Sequence, residues 1–160
     1  MKIARFTHVS EARYAEDMHG REDAMALADI PLPRRATPGS AGYDFVTPAE
    51  VTVPAGGTAL IPTGIRAEME AGWVLMLFPR SSLGFRYGLR LSNTVGVIDS
   101  DYAWAENEGH ILVKLRNPTE REITLSKGER VCQGVFLPYG TAEEEEISGT
   151  RQGGLGSTGR

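Results

Sequence analysis

The sequence predicts an all-β domain, a sandwich, barrel or jelly roll, with one short helical insertion near its N-terminus. Short runs rich in Val, Ile, Leu and Phe recur along the chain, and Gly or Pro punctuates the gaps between them. Many short strands separated by turns bury their apolar faces by packing sheet on sheet or by closing on themselves. One segment dissents, because residues 10–28 lack Pro and combine Ala, Met and Leu with several acidic residues. At 160 residues the chain can bury a substantial core without staples.

In chain order, the opening Met1-Lys2-Ile3-Ala4-Arg5-Phe6-Thr7-His8 is interrupted by charge before any apolar segment of signal length. Ser10 is placed to cap the helical insertion, which should end before Pro31-Leu32-Pro33. Arg34 and Arg35 follow as a solvated turn, with a phosphate contact the alternative. Strands are expected over Val51–Val53, Thr58–Ile61, Val74–Phe78, Ile111–Leu115, Glu122–Leu125 and Val131–Leu137. Cys132 lies inside the last run and reads as a small core residue. As the only cysteine it permits no intrachain disulfide, which suits a reducing compartment.

The domain is expected over residues 1–147, with Glu143–Glu146 as a solvated acidic linker. Residues 148–160 hold Gly, Ser, Thr and Arg with almost nothing to bury. Two readings fit that composition: a loose terminus, or a flexible lid whose glycines bring backbone N–H groups close to phosphates. It is not a Walker loop, since Gly-Lys-Ser/Thr is absent. A net charge of −4 argues against a general nucleic-acid binder, which needs a surplus of Lys and Arg. No apolar run approaches a membrane span, and a cytoplasmic location is expected.

The chemistry concentrates between Pro79 and Tyr102. Arg80 offers a rigid fork of donors to phosphate oxygens, Ser81 and Ser82 add neutral donors, and Asp99 can accept a proton from water. Tyr102 could lie under a sugar ring and leave no room for an extra hydroxyl. Such a set suits a phosphorylated sugar attacked by one water, because phosphoryl transfer asks mainly for positioning and charge stabilisation. His8, His19 and His110 share no metal-binding spacing and read as surface or packing residues.

Five blocks carry a family resemblance: Gly39-Ser40-Ala41-Gly42-Tyr43-Asp44-Phe45, Pro79-Arg80-Ser81-Ser82-Leu83-Gly84, Gly96-Val97-Ile98-Asp99-Ser100-Asp101-Tyr102, Gly128-Glu129-Arg130-Val131-Cys132-Gln133, and Arg151 to Gly159. In this order they resemble the motifs of the trimeric deoxyuridine triphosphatases (dUTPases), bacterial and phage branch, from about residue 36 to the end. The resemblance implies a dUTPase-like β-clip, a distorted jelly roll, in a homotrimer with three shared active sites. It implies hydrolysis of dUTP to dUMP and pyrophosphate, with Mg²⁺ held through the substrate phosphates and no direct protein ligand. Asp99 would activate the water that attacks the α-phosphate. Arg80, Ser81 and Ser82 would hold phosphates, Gln133 would position water or phosphate, and Asn93 with the main chain at Val97 and Ile98 would read uracil. Tyr102 would reject ribose. Arg151, Gly156, Ser157 and Thr158 would close over the phosphates, with Leu155 over the base. Asp44 would be structural within its motif.

Three departures from the family pattern stand out. Ala103-Trp104-Ala105-Glu106-Asn107-Glu108-Gly109-His110 lengthens the loop after the third motif, as in a bacterial and phage branch. Leu155 replaces the tail's usual Phe, and Trp104 is the other candidate to cover the base. The tail motif is one residue shorter than usual. A dCTP deaminase, similar in fold, typically needs a carboxylate where Lys114 stands, and Lys cannot replace it as an acid/base. A nucleotide-binding regulator on the same fold is the non-enzymatic alternative.

Overall fold

The computed structural model describes residues 1–143 and Gly149. The tail residues Arg151, Leu155, Gly156, Ser157 and Thr158 lie outside the described residues. The fold is all-β, with strands β1 (Ala4–His8), β2 (Arg34–Arg35), β3 (Tyr43–Val46), β4 (Val51–Val53), β5 (Thr58–Pro62) and β6 (Ile65–Met69) in the first half. The second half adds β7 (Trp73–Pro79), β8 (Arg90–Leu91), β9 (Gly96–Ile98), β10 (Leu112–Arg116), β11 (Ile123–Leu125) and β12 (Arg130–Pro138). All recorded pairings are antiparallel. The main sheet runs β2-β3-β12-β7-β9, accompanied by β5-β10-β8 and the pairs β1-β6 and β4-β11.

Each apolar run read from the sequence forms a strand, because alternate side chains enter one core. In β10, Val113 and Leu115 are buried while Lys114 and Arg116 face out. Phe45, Leu75, Ile61, Leu115, Leu125 and Val131 fill the interior, with Cys132 fully buried beside them. Burial pushes the Cys132 thiol far above its ordinary range, so it stays protonated and inert.

Some strands escape run-counting. Strand β6 carries charges on alternate positions, Arg66 and Glu68, and pairs with β1, whose Arg5 bonds Glu68 at 2.7 Å. Strand β3 sits inside the first motif and pairs with β12, where a register shift between Arg130 and Cys132 marks a bulge.

The helical insertion is shorter than residues 10–28. Helix α1 spans Glu11–Asp17, and Ser10 caps it by accepting from the Arg13 amide at 3.1 Å. A turn through Gly20 ends it, and only a single 3-10 turn, Leu27–Asp29, follows before the prolines. The helix anchors through buried Tyr14, whose hydroxyl donates to the Met25 carbonyl at 2.9 Å. A second helix, α2 (Ser81–Tyr87), was not expected. It buries Leu83 and ends at Gly88, whose φ of 72° is the left-handed stop that glycine adopts readily. No helix among the described residues is long and apolar enough to cross a membrane.

Candidate active site

Three strands of the main sheet bring the first, second and fourth motifs together. Gln133 on β12 pairs with Asp44 on β3 and with Phe78 on β7, and Arg80 extends from the same end of β7. Asp44 accepts a close ion pair from Arg80 and a longer one, 3.2 Å, from Arg130. The Arg80 and Asp44 side chains retain 23% and 13% of their exposure, so water screens the pair only in part. One carboxylate therefore holds the guanidinium that the sequence assigns to phosphate. Gly42 lies beside it, and a Cβ there would push the Gln133 side-chain amide from its place.

Ser81 and Ser82 open α2 immediately after Arg80, and both face solvent. Arg34 and Arg35 form the exposed strand β2 instead of a bare turn. Arg35 donates to the carbonyls of Pro38 (2.8 Å) and Ser40 (3.0 Å) and lies over the Tyr43 ring. With Arg130 and Asp44 they line a groove of about 570 Å³ next to the Arg80 cluster.

The third motif forms a separate site at the other end of β7. Strand β9 pairs Ile98 with Leu75, so Asp99 lies opposite Val74. It borders a cleft of about 540 Å³ lined by Val74, Met76, Val97, Ser100, Asp101 and Tyr139. Asn93, Thr94 and Val95 make the tight turn that leads into β9. The Val95 amide donates to the Asn93 carbonyl at 2.7 Å across Thr94, whose φ is 67°. That is a γ-turn with a β-branched residue in the left-handed region, a costly conformation of the kind found at ligand clamps. Val97 is more than half exposed at the cleft.

Tyr102 follows on a 3-10 turn, Tyr102–Trp104, and its amide donates to the Asp99 carbonyl at 3.1 Å. The ring is buried, and its hydroxyl donates to the His110 carbonyl at 2.9 Å. Trp104 stands largely exposed with the Arg66 guanidinium 5.2 Å from its ring centre. His110 is fully buried and accepts from the Gly64 amide at 2.8 Å.

The two clusters do not meet within one chain. From Val74, opposite Asp99, to Arg80 is six residues of extended backbone, about 20 Å at the rise of a β-strand. The shared sites that the family resemblance implies draw the first, second and fourth motifs from one chain and the third, with Asp99, from a neighbour. Within one chain the structure gathers Arg80, Asp44 and Gln133 at one end of β7 and Asp99 and Tyr102 toward the other, with Asn93 before the start of β9, on the Arg80 side of Gly96. It also adds residues that reading passed over. The Thr94 turn and Tyr139 carried no signal in sequence, whereas Asn107 and Glu108 stood in the lengthened loop without an assigned role.

A dUTPase family model matches residues 28–159. The chain belongs to the dUTPase family. A deoxyuridine 5'-triphosphate nucleotidohydrolase of Lactococcus lactis is 47% identical over 135 residues, covering 82% of this chain and 90% of that protein. The nucleotidohydrolase of Tolumonas auensis is 38% identical over 146 residues, covering 86% and 93%. Among solved structures, the dUTPase of Streptococcus mutans aligns at a TM-score of 0.70 with 39% identity, over 86% of this chain and 98% of that one. A Staphylococcus phage 80alpha dUTPase shares the fold at a TM-score of 0.69 and 20% identity over both full chains. Both nucleotidohydrolases match over at least 90% of their own length.

Proposed function

We propose that this protein is a dUTP diphosphatase, hydrolysing dUTP to dUMP and pyrophosphate. The observation that carries the reading is family membership across nearly the whole chain, with a nucleotidohydrolase relative at 47% identity. The site chemistry supports it. Arg80, oriented by Asp44, donates to phosphate oxygens with the hydroxyls of Ser81 and Ser82, while Gln133 positions water or phosphate beside them. Asp99 orients and deprotonates the water that attacks the α-phosphorus, and pyrophosphate leaves as that bond forms. The cleft lined by Val97 and Asp99 lies where the nucleoside enters; Asn93 and the main chain at Val97 and Ile98 read uracil, and Tyr102 lies under the sugar. Arg151, Gly156, Ser157 and Thr158 add donors over the phosphates, and Leu155 gives apolar cover to the base.

The donor set fits Mg²⁺ carried on the triphosphate. Guanidinium and hydroxyl groups next to Asp44 seek phosphate oxygens, and Mg²⁺ would take its oxygen ligands from those phosphates and from water without a cage of protein carboxylates. When bound, Mg²⁺ supplies charge neutralisation of the phosphate oxygens.

The active form is a homotrimer with shared sites. In support, Arg80 and Asp99 lie about 20 Å apart in one chain, farther than one α-phosphate can bridge. A neighbouring copy that supplies its third motif to the Arg80 cluster completes the set. Parallel measurement of pyrophosphate release from dUTP, dCTP, dTTP and UTP tests the activity, and sedimentation tests the assembly. Release from dUTP far above the others, by a species of three chains, is expected. Ammonia release from dCTP, or binding without turnover, would overturn the reading.

A further inference from the structure

The lengthened loop and the N-terminal helix are far apart in sequence yet form one hydrogen-bonded unit. Glu108 accepts from both the amide (2.7 Å) and the hydroxyl (2.6 Å) of Ser10, the cap of α1. At the other end of α1, Asp17 accepts from the buried His110 ring at 2.5 Å and is itself held by Arg13 at 2.7 and 2.9 Å. Because His110 Nε2 accepts from the Gly64 amide, Nδ1 carries the proton and donates to Asp17. The loop is thus gripped at both ends of one helix.

What the loop grips in turn is Tyr102. Asn107 Nδ2 donates to the Tyr102 hydroxyl at 2.7 Å, and that hydroxyl donates to the His110 carbonyl at 2.9 Å. The Asn107 side-chain oxygen accepts from the Gly109 amide, which fixes which way its amide faces. Gly109 packs so tightly that a Cβ would sit 2.6 Å from Ala103 Cα and 2.7 Å from the Tyr102 carbonyl. Glu108 is forced to a φ of 59°, a strained conformation for a residue with a side chain, and its bonds to Ser10 hold it there.

We infer that α1 and loop residues Asn107–His110 form a clamp that positions Tyr102, and through it sets how strongly the enzyme discriminates deoxyribose from ribose. The inference rests on the reading of Tyr102 as the steric floor beneath the sugar. A floor excludes a 2′-hydroxyl only if it cannot yield, since a fraction of an ångström of recoil would admit the extra atom. An aromatic on a single 3-10 turn has little rigidity of its own, and the clamp supplies it. The same turn carries the Asp99 carbonyl, so recoil of Tyr102 also disturbs the residue that aims the water. Asn107, Glu108, His110, Ser10 and Asp17 are therefore positioning residues.

The test compares kcat and KM for dUTP and UTP, with assembly and thermal midpoint checked for each variant. Tyr102→Phe and Asn107→Asp are nearly isosteric and remove, respectively, the hydroxyl and its donor. Each is expected to lower the dUTP/UTP ratio of kcat/KM by about tenfold, the scale of one hydrogen bond. The remote pair Ser10→Ala and Ser10→Thr separates positioning from general stability. The first should lower the ratio and the second, which keeps the hydroxyl, should restore it. Tyr102→Ala should collapse the ratio furthest. If Tyr102→Ala collapses it while Tyr102→Phe and Asn107→Asp leave it unchanged, the clamp is overturned and the floor stands. An unchanged ratio in Tyr102→Ala overturns both. Parallel loss of activity on both nucleotides with a fallen midpoint marks a merely structural role and also defeats the proposal.

Discussion

Replacing Asp44 by Asn distinguishes a residue that aims a cation from one that takes part in the reaction. The substitution keeps shape but removes the negative charge facing Arg80 and Arg130. The Arg130 pair contributes little, because that side chain is 53% exposed and the contact is 3.2 Å. The Arg80 pair is more shielded, at 23% and 13% exposure, and lies between the surface value near zero and the cost of breaking a buried pair. A loss of about 1–2 kcal/mol is expected, which for a domain of this size lowers the thermal midpoint by about 2–8 °C. With Arg80 still present but less well aimed, kcat/KM for dUTP should fall by about tenfold. Steady-state pyrophosphate release and scanning calorimetry read the two effects. A fall of a thousandfold with an unmoved midpoint would mean that Asp44 acts on the reaction directly. No change in either would mean that the ion pair orients nothing.

Asp99→Asn should leave a folded assembly that still binds dUTP, with turnover lowered by about a hundredfold or more, the scale of losing a general base; near-normal turnover would remove Asp99 from that role. Deleting residues 149–160 should preserve assembly in sedimentation but cut dUTP turnover sharply, and full activity in the truncated protein would exclude a lid. Restoring an aromatic with Leu155→Phe should tighten binding of a non-hydrolysable dUTP analogue by about 1 kcal/mol, unless Trp104 already covers the base, in which case Trp104→Ala is the costly change. Burial holds the His110 imidazole below the ordinary histidine value, outweighing the opposing pull of Asp17. The unfolded chain then takes up the proton first, so this contribution to stability is complete above about pH 6.5 and is lost as pH falls through the lower folded value. His110→Gln should flatten that slope in calorimetry over the same range, and an unchanged slope would assign it elsewhere.

Much of the fold was legible because the interior strands carry apolar runs, uninterrupted in Val74–Phe78. Among the strands that were missed, β1 and β6 pair partly through Arg5 and Glu68, which offer no hydrophobic signal, and β9 spans only Gly96–Ile98, too short to show a period. Helix α2 was hidden by Gly84, Phe85 and Tyr87, poor helix formers that are overruled by burial of Leu83. In the site, residue types pointed to phosphate chemistry and the family resemblance to sites shared between chains, but the order of the chain alone does not give how far Arg80 lies from Asp99. That separation is a matter of strand register. The role of the lengthened loop was equally out of reach, since Glu108 and His110 meet Ser10 and Asp17 across more than ninety residues.

The distance between Arg80 and Asp99 has a genetic consequence. On the proposed trimer, a chain lacking Arg80 and a chain lacking Asp99 are each inactive alone, yet each still carries the half of the site that the other has lost. In a ring of three built from both kinds, there is one boundary, and only one, at which an intact Arg80 cluster faces an intact Asp99 turn, whichever kind is in the majority. Co-expressing two dead alleles therefore restores turnover, whereas two lesions within the same cluster never complement.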